Sequence, residues 1–301
     1  PDCSIAAAHA AMVHMALEAA SGYATARPYL DRALAGRVDA SASEQAFIDA
    51  TAAFAAHDIP AAVAHLERAV MHAPADICAA KWGQYHAFNL GDAAAMLRLA
   101  DGILPAHAQT AQAHGMHAFA LEQSHRLTEA EDAARRAIAL KAAEPWAHHA
   151  LAHVMETQGR LAEGIAFLSH YAPTWEGRSI FIRHHNWWHQ LLFLLDLGET
   201  PRALDIFDAR LWGVWPEFAQ EQIGAISALI RLELRGADVG GRWAPVAAKV
   251  AERGYEHIQP FHDLHFVYAL ARAGEAGAAD AFLRSLARHA ARAPAVWGEG
   301  A

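Results

Sequence analysis

The chain has 301 residues, 54% of them hydrophobic and 19% charged, with a net charge of −9 at pH 7. That apolar content speaks against a disordered chain, and an acidic balance without a basic run speaks against nucleic acid or an anionic membrane as a partner. Two isolated cysteines (Cys3 and Cys78), no basic-then-apolar leader and no apolar run near the ~18 residues of a membrane span predict a soluble cytoplasmic protein, and a start at Pro1 rather than Met raises the expectation of a trimmed piece of a longer chain.

A recurring junction organises the chain. Gly22, His57, Gly91, His125, Gly159, Gly198, Gly236 and Gly274 stand 35, 34, 34, 34, 39, 38 and 38 residues apart. A stride near 34 residues is that of helical hairpins of the tetratricopeptide type, each marker lying between a first and a second helix. The predicted fold is all-α: about eight hairpins stacked as a TPR-like, right-handed solenoid in one helical-repeat domain over 1–301. Repeats are regular over about 1–170 and longer and more degenerate over about 171–291, and a Pro- and Gly-containing tail over 292–301 is expected to fray.

In chain order, the clearest second helix is 58-DIPAAVAHLERAVMHAP-74, with small Ala62 and Ala69 at a packing seam, Leu66 between them and Pro74 as the stop. The first helix over 109–125 carries His114, His117 and Glu122. Its partner runs over 126–140. The next first helix, over 145–159, carries His149, His153 and Glu156 and is followed by a helix over 160–171. After the insertion 171-YAPTWEGRS-179, a first helix over 181–198 holds His185, Asn186, Trp187, Trp188 and His189. A helix over 199–211 and the aromatic loop 212-WGVWPEF-218 follow. Gly240, Gly241 and Pro245 interrupt the pattern before 261-FHDLH-265, which brings His262, Asp263 and His265.

The histidines carry the chemistry. In His149-x-x-x-His153-x-x-Glu156 the spacings of four and three put all three side chains on one helix face, and His185-x-x-x-His189 repeats the pair on the next first helix. Imidazole and carboxylate from adjacent helices suit a transition-metal ion such as Zn, Fe, Mn or Ni, so His149, His153, Glu156, His185 and His189 are a candidate ligand set. The competing account makes them buried polar links between helices. A metal-free acid–base role is open to Glu122, His153, Glu156 and His185, and Glu122 and Glu156 fall at matching places, three residues before their markers. Trp187 and Trp188 diverge by about 100° on a helix, so they face different neighbours. Trp146, Trp175, Trp212 and Trp215 are candidates for an aromatic pocket, against ordinary packing as the alternative.

The blocks 114-HGMHAFALEQ-123, 149-HALAHVMETQGRLAEGI-165 and 185-HNWWHQLLFLLDLG-198 resemble the signature blocks of the tetratricopeptide repeat protein 38 family. The stretches 1-PDCSIAAAHAAM-12 and 261-FHDLHFVYALARAG-274 are similar to its flanking blocks. The resemblance implies an α-helical repeat fold and points at His114, His149, His153, Glu156, His185, Asn186, His189 and His265. It implies no particular reaction or cofactor.

The leading expectation is a small molecule or extended peptide bound in a concave groove lined by His114, His117, His149, His153, Glu156, His185, Asn186, Trp188, His189, Asp263 and His265. The alternatives are a metal-dependent hydrolase or oxygenase using the same cluster, and a scaffold for a protein partner or a second copy of the chain.

Overall fold

The computed structural model describes residues 3–292, so the expected tail, apart from Arg292, lies outside the described residues. Sixteen α-helices and no strand are found among them. By internal contacts the chain divides into two compact units, one of residues 3–16 and 21–178, the other of 17–20 and 179–292.

The first unit holds five hairpins: α1 (Ser4–Met15) with α2 (Ala20–Ala35), α3 (Ala42–Ala55) with α4 (Ile59–His72), α5 (Ile77–Asn89) with α6 (Ala93–Ile103), α7 (Ala111–Gln123) with α8 (Leu127–Leu140), and α9 (Pro145–Thr157) with α10 (Leu161–Tyr171). Alanine makes their close packing possible. On α4, Ala62, Leu66 and Ala69 are fully buried. Facing them, Gly83 of α5 lies so close that an added Cβ would meet Leu99 Cδ1 at 2.8 Å and Leu66 Cβ at 3.3 Å. Side-chain caps fix several helix starts. Asp58, Asp76 and Asp92 accept from backbone N–H groups of the first turns of α4, α5 and α6, and Ser41 and Glu44 form a capping box on α3.

The second unit holds three hairpins: α11 (Ile180–Asp196) with α12 (Thr200–Ile206), α13 (Ala219–Leu234) with α14 (Trp243–Glu252), and α15 (Pro260–Arg272) with α16 (Ala276–Ala290). The second helix expected over 199–211 is α12 continued by a π-helical turn at Phe207–Leu211. The loop 212–218 that follows is tied down by a buried carboxylate, as Glu221 of α13 accepts from the backbone N–H groups of Gly213, Val214 and Trp215 at 2.8, 3.1 and 2.6 Å. Burial pushes the Glu221 carboxyl up, and these three donors oppose the shift.

Seven of the eight predicted junctions share one geometry. His57, Gly91, His125, Gly159, Gly198, Gly236 and Gly274 all have left-handed φ, between 58° and 84°. At each, the following residue's N–H closes back on a carbonyl five residues earlier, as in Arg126 N to Leu121 O (2.9 Å) and Glu199 N to Leu194 O (2.8 Å). This Schellman arrangement satisfies carbonyls left open at a helix end and turns the chain into the next helix. The eighth marker is a correction. Gly22 lies inside α2 as a buried helical residue, and the first hairpin turns four residues earlier, at Glu18 (φ 53°).

Candidate functional site

In the first unit, α7 and α9 pack side by side and bring Glu122, His149 and His153 together. Their positions follow from the i, i+4 spacing on α9 and from Glu122 lying at the buried end of α7. The His153 Nε2 stands 3.0 Å from the His149 Nε2, and the rings are nearly perpendicular with centroids 4.4 Å apart. On its other side, His153 Nδ1 is 3.4 Å from Glu122 Oε2. Burial raises the Glu122 carboxyl, but hydrogen bonds from His153 and from the Gln123 amide (2.6 Å) outweigh it and hold the group below its ordinary value. An ionised Glu122 can only accept, which places the His153 proton on Nδ1 and its lone pair on Nε2, toward His149. Phe119 covers both imidazoles, at 5.1 and 5.8 Å between centroids, and Trp146 meets His149 edge-on.

In the second unit, α11 presents the matching pair. His185 and His189 stand perpendicular with centroids 4.8 Å apart, His189 buried and His185 half-buried. His185 stacks on Trp188 at 5.5 Å with only 7° between planes. The two tryptophans diverge as expected, Trp187 lying under Arg210 and Trp188 under Arg231. Asn186 is fully buried. The group of potential metal ligands found among the described residues consists of a pair in each unit, His149 with His153 on α9 and His185 with His189 on α11. Glu156, half-buried at the end of α9, does not belong to that group.

The other expected residues have separate partners within their own units. His114 donates from Nε2 to the Ala108 carbonyl (3.0 Å), and His117 pairs with Asp101 (3.1 Å) while burial lowers its pKa. His265 donates from Nδ1 to the Phe261 carbonyl at 2.8 Å. Asp263 is buried against His257. Three of the four tryptophans considered for a pocket wall have identified neighbours or burial. Trp175 is fully buried, Trp146 lies under the Lys81 ammonium, and Trp215 stacks on Phe218.

Two histidines beside the paired ones are structural. His148 donates from Nε2 to the Ala142 carbonyl (2.9 Å) and accepts at Nδ1 from the Trp175 indole (3.0 Å), with Tyr171 stacked on its ring. His184 donates from Nε2 to the Leu211 carbonyl at 3.1 Å. Burial pushes both down to about 4, so both are neutral near pH 7. Sequence reasoning also missed His257, in the connection between α14 and α15, and its partner Ser285 on α16. No spacing on a shared helix announces that pair.

No protein-family model matches the chain. Among solved structures, it is similar to a tetratricopeptide repeat protein from Parabacteroides merdae, with 10% identity and a TM-score of 0.54 over 83% of this chain and 93% of that one. That likeness supports the TPR-like fold and nothing finer. Further similarities are to MamA AMB-1, at 20% identity and TM-score 0.38 over 59% of this chain and 96% of that one, and to the APC/C hetero-tetramer Cut9-Hcn1. The latter has 13% identity and TM-score 0.37 over 87% of this chain and 59% of the other.

Proposed function

We propose that this protein binds a transition-metal ion through the imidazole pair His149 and His153 on α9, which Glu122 orients, and that His185 and His189 on α11 are a second pair of nitrogen donors. The observation that carries the reading is the arrangement in the first unit: His153 Nδ1 held by Glu122, with its Nε2 lone pair aimed at the Nε2 of His149. A carboxylate holding the outer nitrogen of a histidine fixes the tautomer that a metal needs and raises its basicity. The i, i+4 pair recurs on α11 as His185 and His189, which carries the same donor type in the second unit. Neutral nitrogen donors suit zinc, copper, iron or nickel, whereas calcium and magnesium need oxygen. A bound ion with one position left for water would act as a Lewis acid and activate that water, so the activity we propose is hydrolytic, and the base we assign is Glu156, one turn beyond His153 on α9.

The test is elemental analysis of untagged, dialysed protein. One transition metal per chain is expected, lost in His153→Ala with helicity unchanged. Metal-free protein after growth in metal-supplemented medium would sink the reading. The parallel stack of His185 on Trp188, with the Arg231 guanidinium 5.2 Å from the Trp188 ring, favours a second reading in which a small molecule or peptide occupies a groove lined by these residues. A ligand that still stabilises metal-stripped protein would support it. Membership of the tetratricopeptide repeat protein 38 family belongs to the same proposal, on the strength of the blocks at 114–123, 149–165 and 185–198. A cytoplasmic setting fits the exposed free thiols of Cys3 and Cys78, and no helix among the described residues is long and apolar enough to cross a membrane.

A further inference from the structure

The second unit contains a chain of hydrogen bonds that the metal reading does not use. His257 Nε2 lies 2.9 Å from Ser285 Oγ, and His257 Nδ1 lies 2.8 Å from Asp263 Oδ2. Asp263 is 1% exposed and His257 6% exposed, while Ser285 is half-buried on α16 and reachable from solvent. A carboxylate on Nδ1 leaves the Nε2 lone pair to accept the serine hydroxyl proton, which is the arrangement of an activated serine nucleophile. His257 is also one of four non-glycine residues with positive φ among the described residues (49°), and it is held there by partners on both ring nitrogens. Backbone strain of this kind persists only where the surroundings over-determine it, and it collects at functional sites.

The geometry points to a serine esterase centre in which Ser285 is the nucleophile, His257 the general base and Asp263 the residue that positions His257. The substrate class is a small carboxylic ester. His289 lies one turn beyond Ser285 on the same face of α16, with its ring 5.0 Å from that of His257, and supplies an N–H donor for the developing oxyanion. The exposed Tyr255 ring, packed edge-on against Phe282 at 5.8 Å, offers an apolar rest for the acyl or alkyl group. A cleft with room for about one water molecule opens beside His257, lined by Glu18, Arg253, His262 and Phe266 among others.

In the reaction the Ser285 Oγ forms a bond to the ester carbonyl carbon as its proton passes to His257 Nε2. The C–O bond to the alcohol then breaks, and that alcohol leaves with the proton from His257. A water molecule next attacks the acyl-Ser285, giving its proton to His257 Nε2. The Ser285–acyl bond breaks, the proton returns to Ser285, and the carboxylic acid departs. No oxidant, reductant or metal is needed, so the site stands or falls independently of the proposed metal centre.

The test uses the full chain with a fluorophosphonate probe, which reacts with activated serines, followed by peptide mapping. One adduct per chain on Ser285 is expected, absent in Ser285→Ala, a substitution a helix accepts readily. His257→Gln and Asp263→Asn should label on the order of 100-fold more slowly, the size of a general-base contribution. Exogenous imidazole should restore labelling in His257→Ala. The pH profile of the labelling rate should also change in Asp263→Asn, a readout that a merely structural Asp263 would not move. Hydrolysis of p-nitrophenyl acetate should follow the same ranking. No adduct on Ser285 under conditions that fully label a serine hydrolase control overturns the proposal. So does an adduct whose rate is indifferent to both His257→Gln and Asp263→Asn. If His257→Gln does not fold, the labelling rate of Asp263→Asn and its pH profile decide the question.

Discussion

Glu122 on α7 reaches across to His153 on α9, its Oε2 3.4 Å from the imidazole Nδ1, and that contact decides which nitrogen of His153 is available. Replacing Glu122 by Gln keeps the shape and removes the charge. The metal reading then expects a 10- to 100-fold loss of affinity, about the usual effect of removing an outer partner of a metal-bound histidine. Competition with a chromogenic chelator measures it. Unchanged affinity in a folded Glu122→Gln protein would make the contact a packing link.

The neighbouring residue tests the opposite role. Trp175→Phe removes the indole donor to His148 Nδ1 and leaves a buried acceptor without it. The expected cost is about 1–3 kcal/mol, read as a lowered urea midpoint at unchanged slope. Metal content should stay at the wild-type level. A loss of metal here would mean that His148, and not only its neighbour His149, belongs to the site.

Both His148 and His184 are held neutral when folded, with pKa values of about 4 against an ordinary 6.5. Between those values the unfolded chain binds more protons than the folded one, so stability must fall as pH drops from 6.5 toward 4 and must be indifferent to these groups above 6.5. Urea midpoints across that window check the sign. Histidine ring NMR checks the cause, because the His148 and His184 signals should not titrate near pH 6.5. Two imidazoles titrating normally there would remove this source of acid sensitivity.

Much of this architecture was legible because its cause is local. A left-handed residue after a helix is favoured by glycine and tolerated by histidine, so a stride of Gly and His exposed the hairpins. The i, i+4 histidine pairs were legible for the same reason, since one helix fixes both partners. Glu122 with His153 was half-legible: the two lie on helices in adjacent hairpins, and only packing joins them. His257 with Ser285 and Asp263, and Glu221 with the 213–215 backbone, depend on irregular connections that no period describes. Gly22 misled because glycine also occurs inside helices, and here it is a buried residue within α2.

The junction geometry gives a prediction of its own. His125 holds φ at 58°, a conformation that costs an L-residue about 1–2 kcal/mol, part of which glycine returns as chain entropy in the unfolded state. His125→Gly should therefore stabilise the fold by about 0.5–1 kcal/mol. Gly198→Ala, at φ 76° with open space around its Cα, should destabilise it by a similar amount through backbone strain alone. Thermal melts of the two variants should move in opposite directions. Equal and same-signed shifts would show that the left-handed turn is not what these positions are chosen for.

Gly224 on α13 separates size from backbone freedom. It is helical, and a Cβ built on it would sit 2.2 Å from His184 Cε1 and 3.2 Å from both ring nitrogens. His184 cannot retreat freely, because its Nε2 is committed to the Leu211 carbonyl at the end of the π-helical turn. Gly224→Ala should thus cost about 1–3 kcal/mol by overpacking, although alanine is the better helix former by about 1 kcal/mol. Shortening the ring side chain to His184→Ala removes the clash. In that background Gly224→Ala should become neutral or stabilising, so the double-mutant cycle must show a coupling of opposite sign to the single-variant loss. Additive effects would mean that α13 yields instead of His184, and that the close approach of glycine and imidazole does not set the position of α11 on α13.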